Sequence, residues 1–167
     1  MNIVIEKPTR EDAEAMLEYL KQIGGETDNL TFGSEGVSCT VEEEAAQIER
    51  AASSRDEVMF VVKDKGKIVG DVSLSRLPRR MRHRGDLGIA VVKEYWGCGI
   101  GSRLLGKAIE FAKENDFDVI ELQVRSDNAA AIHLYEKFGF QKFGTHESFF
   151  KMGRDEIPFD YMYLKIK

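Results

Sequence analysis

Apolar residues along the chain follow two periods. Where they recur every three or four positions the spacing predicts a helix, and where they alternate or run together between turn residues it predicts a strand. Residues 2–6 form a short opening strand, stopped by Lys7-Pro8. Thr9 and Asp12 make a variant capping box, and Ala13, Met16, Leu17 and Leu20 put one apolar face on the helix behind it, which Gly24-Gly25 ends. Residues 26–38 keep no period and form a loop; Thr40, with Glu43 three positions on, then caps a second helix to about Ala52. Residues 58–63 and 67–77, separated by Asp64-Lys65-Gly66, read as an antiparallel hairpin, with 84–92 as the neighbouring strand.

Ile100, Leu104, Ala108 and Ala112 share one face of a helix ending near Asn115, and residues 119–124 return as a strand. Ser126-Asp127-Asn128 cap a further helix that carries Ile132, Leu134, Tyr135 and Phe138 and stops at Gly139. Residues 140–150 and 159–166 are the last two strands. The order of elements, with no repeat or linker, predicts one mixed α/β domain over residues 1–167.

The composition, 43% hydrophobic and 32% charged, is a globular balance. A net charge of -5 argues against a nucleic-acid partner, which calls for a basic footprint, and favours a cationic one. Cys39 and Cys98 make neither a disulfide framework nor a metal cluster, so a reducing compartment and no metal are expected. Glu6 brings charge too early for a signal peptide, and no apolar run approaches the roughly 18 residues of a membrane span. The expectation is a cytoplasmic protein without a membrane partner.

The strongest local chemistry is Trp96-Gly97-Cys98-Gly99-Ile100-Gly101-Ser102, between a strand and a helix. Glycines let the backbone approach a ligand, and the unpaired N–H groups of a first helical turn point at it with the positive end of the dipole, an arrangement suited to a diphosphate. The plain alternative is a tight connection with no ligand. A Walker A loop would end in Gly-Lys-Ser/Thr, and a dinucleotide fingerprint would place glycine at Ser102; neither holds here.

This segment resembles the signature Arg/Gln-x-x-Gly-x-Gly/Ala of the GNAT acetyltransferases, with Trp96 in place of the usual Arg or Gln. The stretch from Val124 to Phe140, with its Asn128-Ala129-x-Ala131-x-x-x-Tyr135-x-x-x-Gly139-Phe140 pattern, resembles the later motif of the same family. The likeness runs from Met1 to Lys167 and implies a GNAT-like fold: a twisted, mostly antiparallel sheet of about seven strands flanked by about four helices. It implies acetyl-CoA as co-substrate and no metal.

Residue by residue, the resemblance implies that Val91 and Val92 pair through their backbone with the pantetheine arm and polarise the thioester carbonyl. Gly97, Cys98, Gly99, Ile100, Gly101 and Ser102 would hold the pyrophosphate, Asn128 would bond the cofactor arm, and Tyr135 would protonate the leaving thiolate. Two of these residues also have local roles: Asn128 belongs to a capping segment, and Tyr135 sits where a Schellman cap packs it on Phe140. Cys98 has no adjacent base and reads as a tolerated small residue in the loop.

For a general base the candidates are Asp86 and Glu121, on the strands expected to flank the acetyl site, and Glu26 with Asp28 in the acidic loop; each also reads as a solvated charge. That loop and the following helix, with Glu26, Asp28, Glu35, Glu42, Glu43 and Glu44, cover the acceptor in the resembled fold, which suits a cationic amine. Arg76, Arg79, Arg80, Arg82, His83 and Arg84 lie about nine strand residues, at roughly 3.3 Å each, from the glycine loop. They read as a solvated turn or a subunit contact, a homodimer staying open. Three functions follow: acetyl transfer to a small-molecule amine, acetyl transfer to a protein N-terminus or lysine, or a non-catalytic acyl-CoA-binding regulatory module.

Overall fold

The computed structural model describes residues 1–167. In chain order the elements are β1 (Ile3–Glu6), α1 (Ala13–Glu26), α2 (Val41–Ala52), β2 (Glu57–Asp64), β3 (Lys67–Arg76), β4 (Arg84–Val91), α3 (Ile100–Glu114), β5 (Val119–Arg125), α4 (Ala129–Lys137), β6 (Gln141–Met152) and β7 (Asp155–Lys165). The strands make one sheet in the order β1-β2-β3-β4-β5-β7-β6. Every pairing is antiparallel except that of β4 with β5. The mixed α/β fold with seven strands and four helices is as the sequence implied.

Strand alternation sorts the side chains between two helical layers. At Gly70 an added Cβ would meet Leu104 and Ile100 of α3, whereas the next residue, Asp71, bonds Tyr19 of α1. So α3 covers one face, burying Leu104, Leu105, Ala108 and Ala112, and α1 with α2 covers the other. Both helical caps form as read: Thr9 N–H donates to Asp12 Oδ2 at 2.8 Å, and Thr40 and Glu43 satisfy each other at 2.9 and 3.1 Å.

Two boundaries differ from the sequence reading. Gly24 and Gly25 do not end α1; they lie in its last turn, and Gly24 is buried. A Cβ on Gly24 would fall 2.0 Å from Gly33 O, so this glycine serves the close passage of the α1–α2 loop over the helix. The last two strands form one long hairpin around Gly153-Arg154 in place of separate runs. In the fold Pro158 stands beyond the last β5 pair, Arg125↔Phe159, and opposite the register shift between His146 and Phe150, where a missing N–H costs no ladder bond.

Candidate active site

The site begins where the sheet splits. β4 and β5 pair only through Arg84↔Val119, Gly85↔Ile120 and Asp86↔Glu121, and then diverge. On its other edge β4 stays bonded to β3: Leu77 N–H donates to Arg84 O and Val92 N–H to Val69 O, both at 2.9 Å. Antiparallel ladders spend backbone groups on alternate residues, so the even-numbered residues of β4 face β3 and the odd-numbered ones face away. The N–H groups of Ile89 and Val91 therefore point into the gap that β5 has left. Val92 does not share this role, and the expectation for it is corrected: its N–H is taken by Val69, its carbonyl accepts from Tyr95 N–H, and the residue is buried.

At the wide end of the gap the chain turns through Gly97 and Gly99, both left-handed with φ of 78° and 77°. A Cβ at either would meet nothing within 4 Å, so glycine is there for its backbone angle. No backbone or side-chain acceptor takes the N–H of Gly97, Cys98, Gly99, Ile100, Gly101 or Ser102; the flanking Trp96 and Arg103 N–H groups bond Lys93 O and Gly99 O. Six successive free amides at the start of α3 form an anion-binding nest with the helix dipole behind it. A diphosphate fits this donor set.

Three contacts hold the segment leading into the nest. Trp96 Nε1 donates to Val91 O at 2.8 Å, Tyr95 Oη to Asp64 Oδ2 at 2.8 Å, and Lys93 N–H to Glu26 Oε2 at 2.8 Å. The indole at the position where the family signature has Arg or Gln thus braces the end of β4. Cys98 is exposed, and its Sγ contacts only Trp96 O at 3.9 Å.

Across the gap, Asn128 caps α4: its Oδ1 accepts from Ala131 N–H at 3.3 Å, which leaves the side-chain NH2 as a free donor. The helix ends in a Schellman motif, with Phe140 N–H on Tyr135 O and Gly139 N–H on Glu136 O. Tyr135 accordingly packs on Phe140, ring centroids 5.7 Å apart. Burial holds its phenol proton well above the usual tyrosine range. The hydroxyl has no protein partner, and since no sealed polar atom in the molecule lacks one, it reaches accessible space.

The carboxylates proposed as bases are mostly engaged. Both oxygens of Glu121 accept from Arg84, at 2.7 and 2.9 Å. Glu26 accepts from Lys93 N–H and from Gln22 Nε2, the latter at 2.9 Å. Asp86 accepts one long bond, 3.3 Å, from Gln123; burial first, and then the Glu121 charge, push its carboxyl up. Asp28 contributes its carbonyl, which accepts from Arg125 at 3.1 Å and ties the α1–α2 loop to β5. Part of the basic turn is used internally: Arg76 and Arg82 share Asp56 Oδ1, and the Arg76 guanidinium lies 3.9 Å over the Phe117 ring.

The sequence reading missed Asp71, Tyr19 and the burial of Glu44. Asp71, half-buried on β3, accepts from Tyr19 Oη at 2.8 Å, and its carboxyl is pushed up to about 6, by burial first and by the charge of Glu44. Burial also raises Glu44. The only sequence signal was an acid inside an otherwise apolar stretch of the strand, Ile68-Val69-Gly70-Asp71-Val72.

Residues 15–140 match the acetyltransferase (GNAT) family. N-alpha-acetyltransferase RimI of Mycobacterium tuberculosis is 38% identical over 88 residues, which cover 52% of this chain and 54% of that protein; the match thus spans about half of that relative. The crystal structure of a GNAT-family acetyltransferase from Streptococcus pneumoniae superposes with a TM-score of 0.94 at 32% identity, over 99% of this chain and 100% of that one. The yncA structure from Salmonella typhimurium, which holds its cofactor acetyl-CoA, superposes at 0.86 and 20% identity over 100% and 95% of the two chains, a likeness of fold.

Proposed function

The chain belongs to the acetyltransferase (GNAT) family, and from that membership we propose that it transfers the acetyl group of acetyl-CoA to the primary amine of a small cationic molecule. The observation that carries this reading is the run of six unbonded amides, Gly97 to Ser102, beside the split between β4 and β5. Acetyl-CoA in that cleft supplies the activated acetyl group. Val91 N–H, aided by Ile89 N–H, polarises the thioester carbonyl as an oxyanion hole. The loop amides take the diphosphate, the Asn128 amide donates to the cofactor arm, and Tyr135 gives its proton to the departing thiolate. An amine held near the carbonyl attacks directly, with no covalent enzyme intermediate.

A small acceptor is favoured by the α1–α2 loop. It is tied down at both sides of the split, by Glu26 to Lys93 and by Asp28 O to Arg125, which narrows the space above the acetyl position. A second reading, acetylation of a protein N-terminus, is favoured by the N-alpha-acetyltransferase relative from M. tuberculosis. No helix is long and apolar enough to cross a membrane, which is compatible with a cytoplasmic enzyme.

Thiol release from acetyl-CoA, measured against a panel of polyamines, aminoglycosides, amino acids and short peptides, tests the proposal. We expect the highest kcat/KM with a small cationic amine. Preference for a peptide N-terminus selects the second reading, and tight CoA binding without release across the panel identifies a non-catalytic binding module.

A further inference from the structure

Two carboxylates on the acceptor face of the sheet lack a cation. Asp71 stands opposite Ala90 in the β3–β4 register, one residue from the Val91 amide that faces the gap. Tyr19 Oη donates to Asp71 Oδ1 at 2.8 Å and lies 3.0 Å from Ala90 O, which fixes the carboxylate beside that strand. Glu44, from α2, is only 4% exposed, yet the one hydrogen-bond partner of its carboxylate is the Cys39 thiol, 3.8 Å from Oε2. Oε1 accepts from nothing, and since no sealed polar atom is left unpartnered, it keeps some contact with accessible space.

Neither residue takes part in any ion pair of the molecule. The titratable groups that act on Asp71 are Tyr19 from α1 and Glu44 from α2, with Glu26 at the end of α1 acting on Tyr19; no lysine, arginine or histidine shifts Asp71 or Glu44. Carboxylates drawn out of water are normally paired, and two that act on one another with no cation between them offer a place for one to arrive. The two do not belong to a group of three or more ligands that could hold a metal ion.

We propose that Asp71, with Glu44 behind it, binds the ammonium of the acceptor and takes its proton, Tyr19 acting as the positioning residue. This rests on the acetyl-transfer reading. The ammonium R–NH3+ gives one proton to the Asp71 carboxylate, leaving the free amine and a carboxylic acid. The amine lone pair forms the N–C bond to the thioester carbonyl, the C–S bond breaks, and the thiolate leaves with the electron pair and takes the Tyr135 proton. The acylated nitrogen releases its second proton, which restores the phenol, and Asp71 passes its proton to water. The sum is ammonium plus acetyl-CoA giving amide, CoA thiol and one proton. A carboxyl raised to about 6 is ionised at neutral pH and a better proton acceptor than an exposed aspartate.

The experiment uses the full chain, acetyl-CoA, and whichever of spermidine, kanamycin, L-alanine or an Ala-initiated peptide gives the fastest wild-type thiol release. Asp71→Asn is expected to lower kcat/KM about 100-fold and to abolish the acid limb of the pH profile, with acetyl-CoA affinity by calorimetry unchanged. Glu44→Gln removes a charge that raises Asp71 and moves the limb to lower pH; Tyr19→Phe removes a bond that lowers it and moves the limb to higher pH. Opposite shifts in these two variants support the assignment even where Asp71→Asn folds poorly. An unchanged profile in Asp71→Asn, or shifts of the same sign, overturns it while leaving acetyl transfer standing. Wild-type protein that releases no thiol with any of the four amines removes both.

Discussion

The two ends of the cleft differ in what they offer a ligand. At the end proposed for the cofactor the free donors are main-chain amides, Gly97 to Ser102 and Val91, and the side chains there point elsewhere: Trp96 braces β4 and Cys98 lies in solvent. At the end proposed for the acceptor the groups are side chains, Asp71, Glu44 and Tyr19, gathered from β3, α2 and α1. A site built from backbone depends on φ angles and helix placement and tolerates most residue types. A site built from side chains depends on identity, so each of its residues is open to direct substitution.

Substitutions can sharpen or break this contrast. The largest effect is expected at Tyr135, the one side chain proposed to touch the cofactor's sulfur: Tyr135→Phe keeps the cap packing on Phe140 and lowers kcat about 100-fold, with acetyl-CoA affinity unchanged. Pre-steady-state thiol release measures it, and an unchanged chemical step removes the acid role. Next comes Ser102, where Ser102→Pro, in a first helical turn that tolerates proline, removes the amide hydrogen together with the hydroxyl and is expected to weaken acetyl-CoA binding roughly tenfold. Ser102→Ala, which deletes only the side chain, is expected to bind as wild type does. Equal losses in the two variants would erase the distinction between backbone and side-chain recognition.

A smaller effect concerns stability. The Asp71 carboxyl sits near 6 in the fold, above an ordinary aspartate, so the folded state holds its proton more tightly than the unfolded chain does. The fold therefore loses stability as pH rises from about 4 to about 6, and the loss is complete above that range. Asp71→Asn is expected to raise Tm by about 3 °C at pH 7.5, and by nothing at pH 4, although it cripples turnover. Differential scanning calorimetry at the two values decides it, and a lower Tm at pH 7.5 contradicts the unpaired-carboxylate description. The smallest change is expected at Cys98: Cys98→Ser should alter kcat/KM by less than about twofold, since the exposed thiol has no base beside it.

What the sequence disclosed was local. The glycine loop and the Asn128-to-Phe140 helix show themselves because capping, left-handed glycines and a Schellman end are determined within a few neighbouring residues. The succession of elements along the chain, and the β2–β3 hairpin with β4 beside it, followed from alternation and turn residues. What stayed hidden depends on partners distant in the chain. Glu121 looks free until β4 brings Arg84 onto it, and Glu26 looks free until Lys93 N–H arrives across 67 residues. Asp71 looks like an ordinary polar position until α1 and α2 close over it. Gly24 looks like a helix stop until the loop is seen crossing it at Gly33. Val92 was placed with Val91 because adjacent residues look equivalent in sequence, and only the register with β3 separates them.

The short parallel seam has a mechanical meaning. β4 and β5 share three residue pairs, against seven for each of their other edges, so the sheet is two stiff half-sheets zipped along a brief line. An extended ligand arm lying in the unzipped part would supply the missing rungs, exchanging hydrogen bonds with the edge of β4 as a neighbouring strand would. Deuterium uptake at the Ile89 and Val91 amides would then report occupancy directly, fast in the empty protein and slow once the wedge is filled, and the half-sheets would move as one body only in the loaded state.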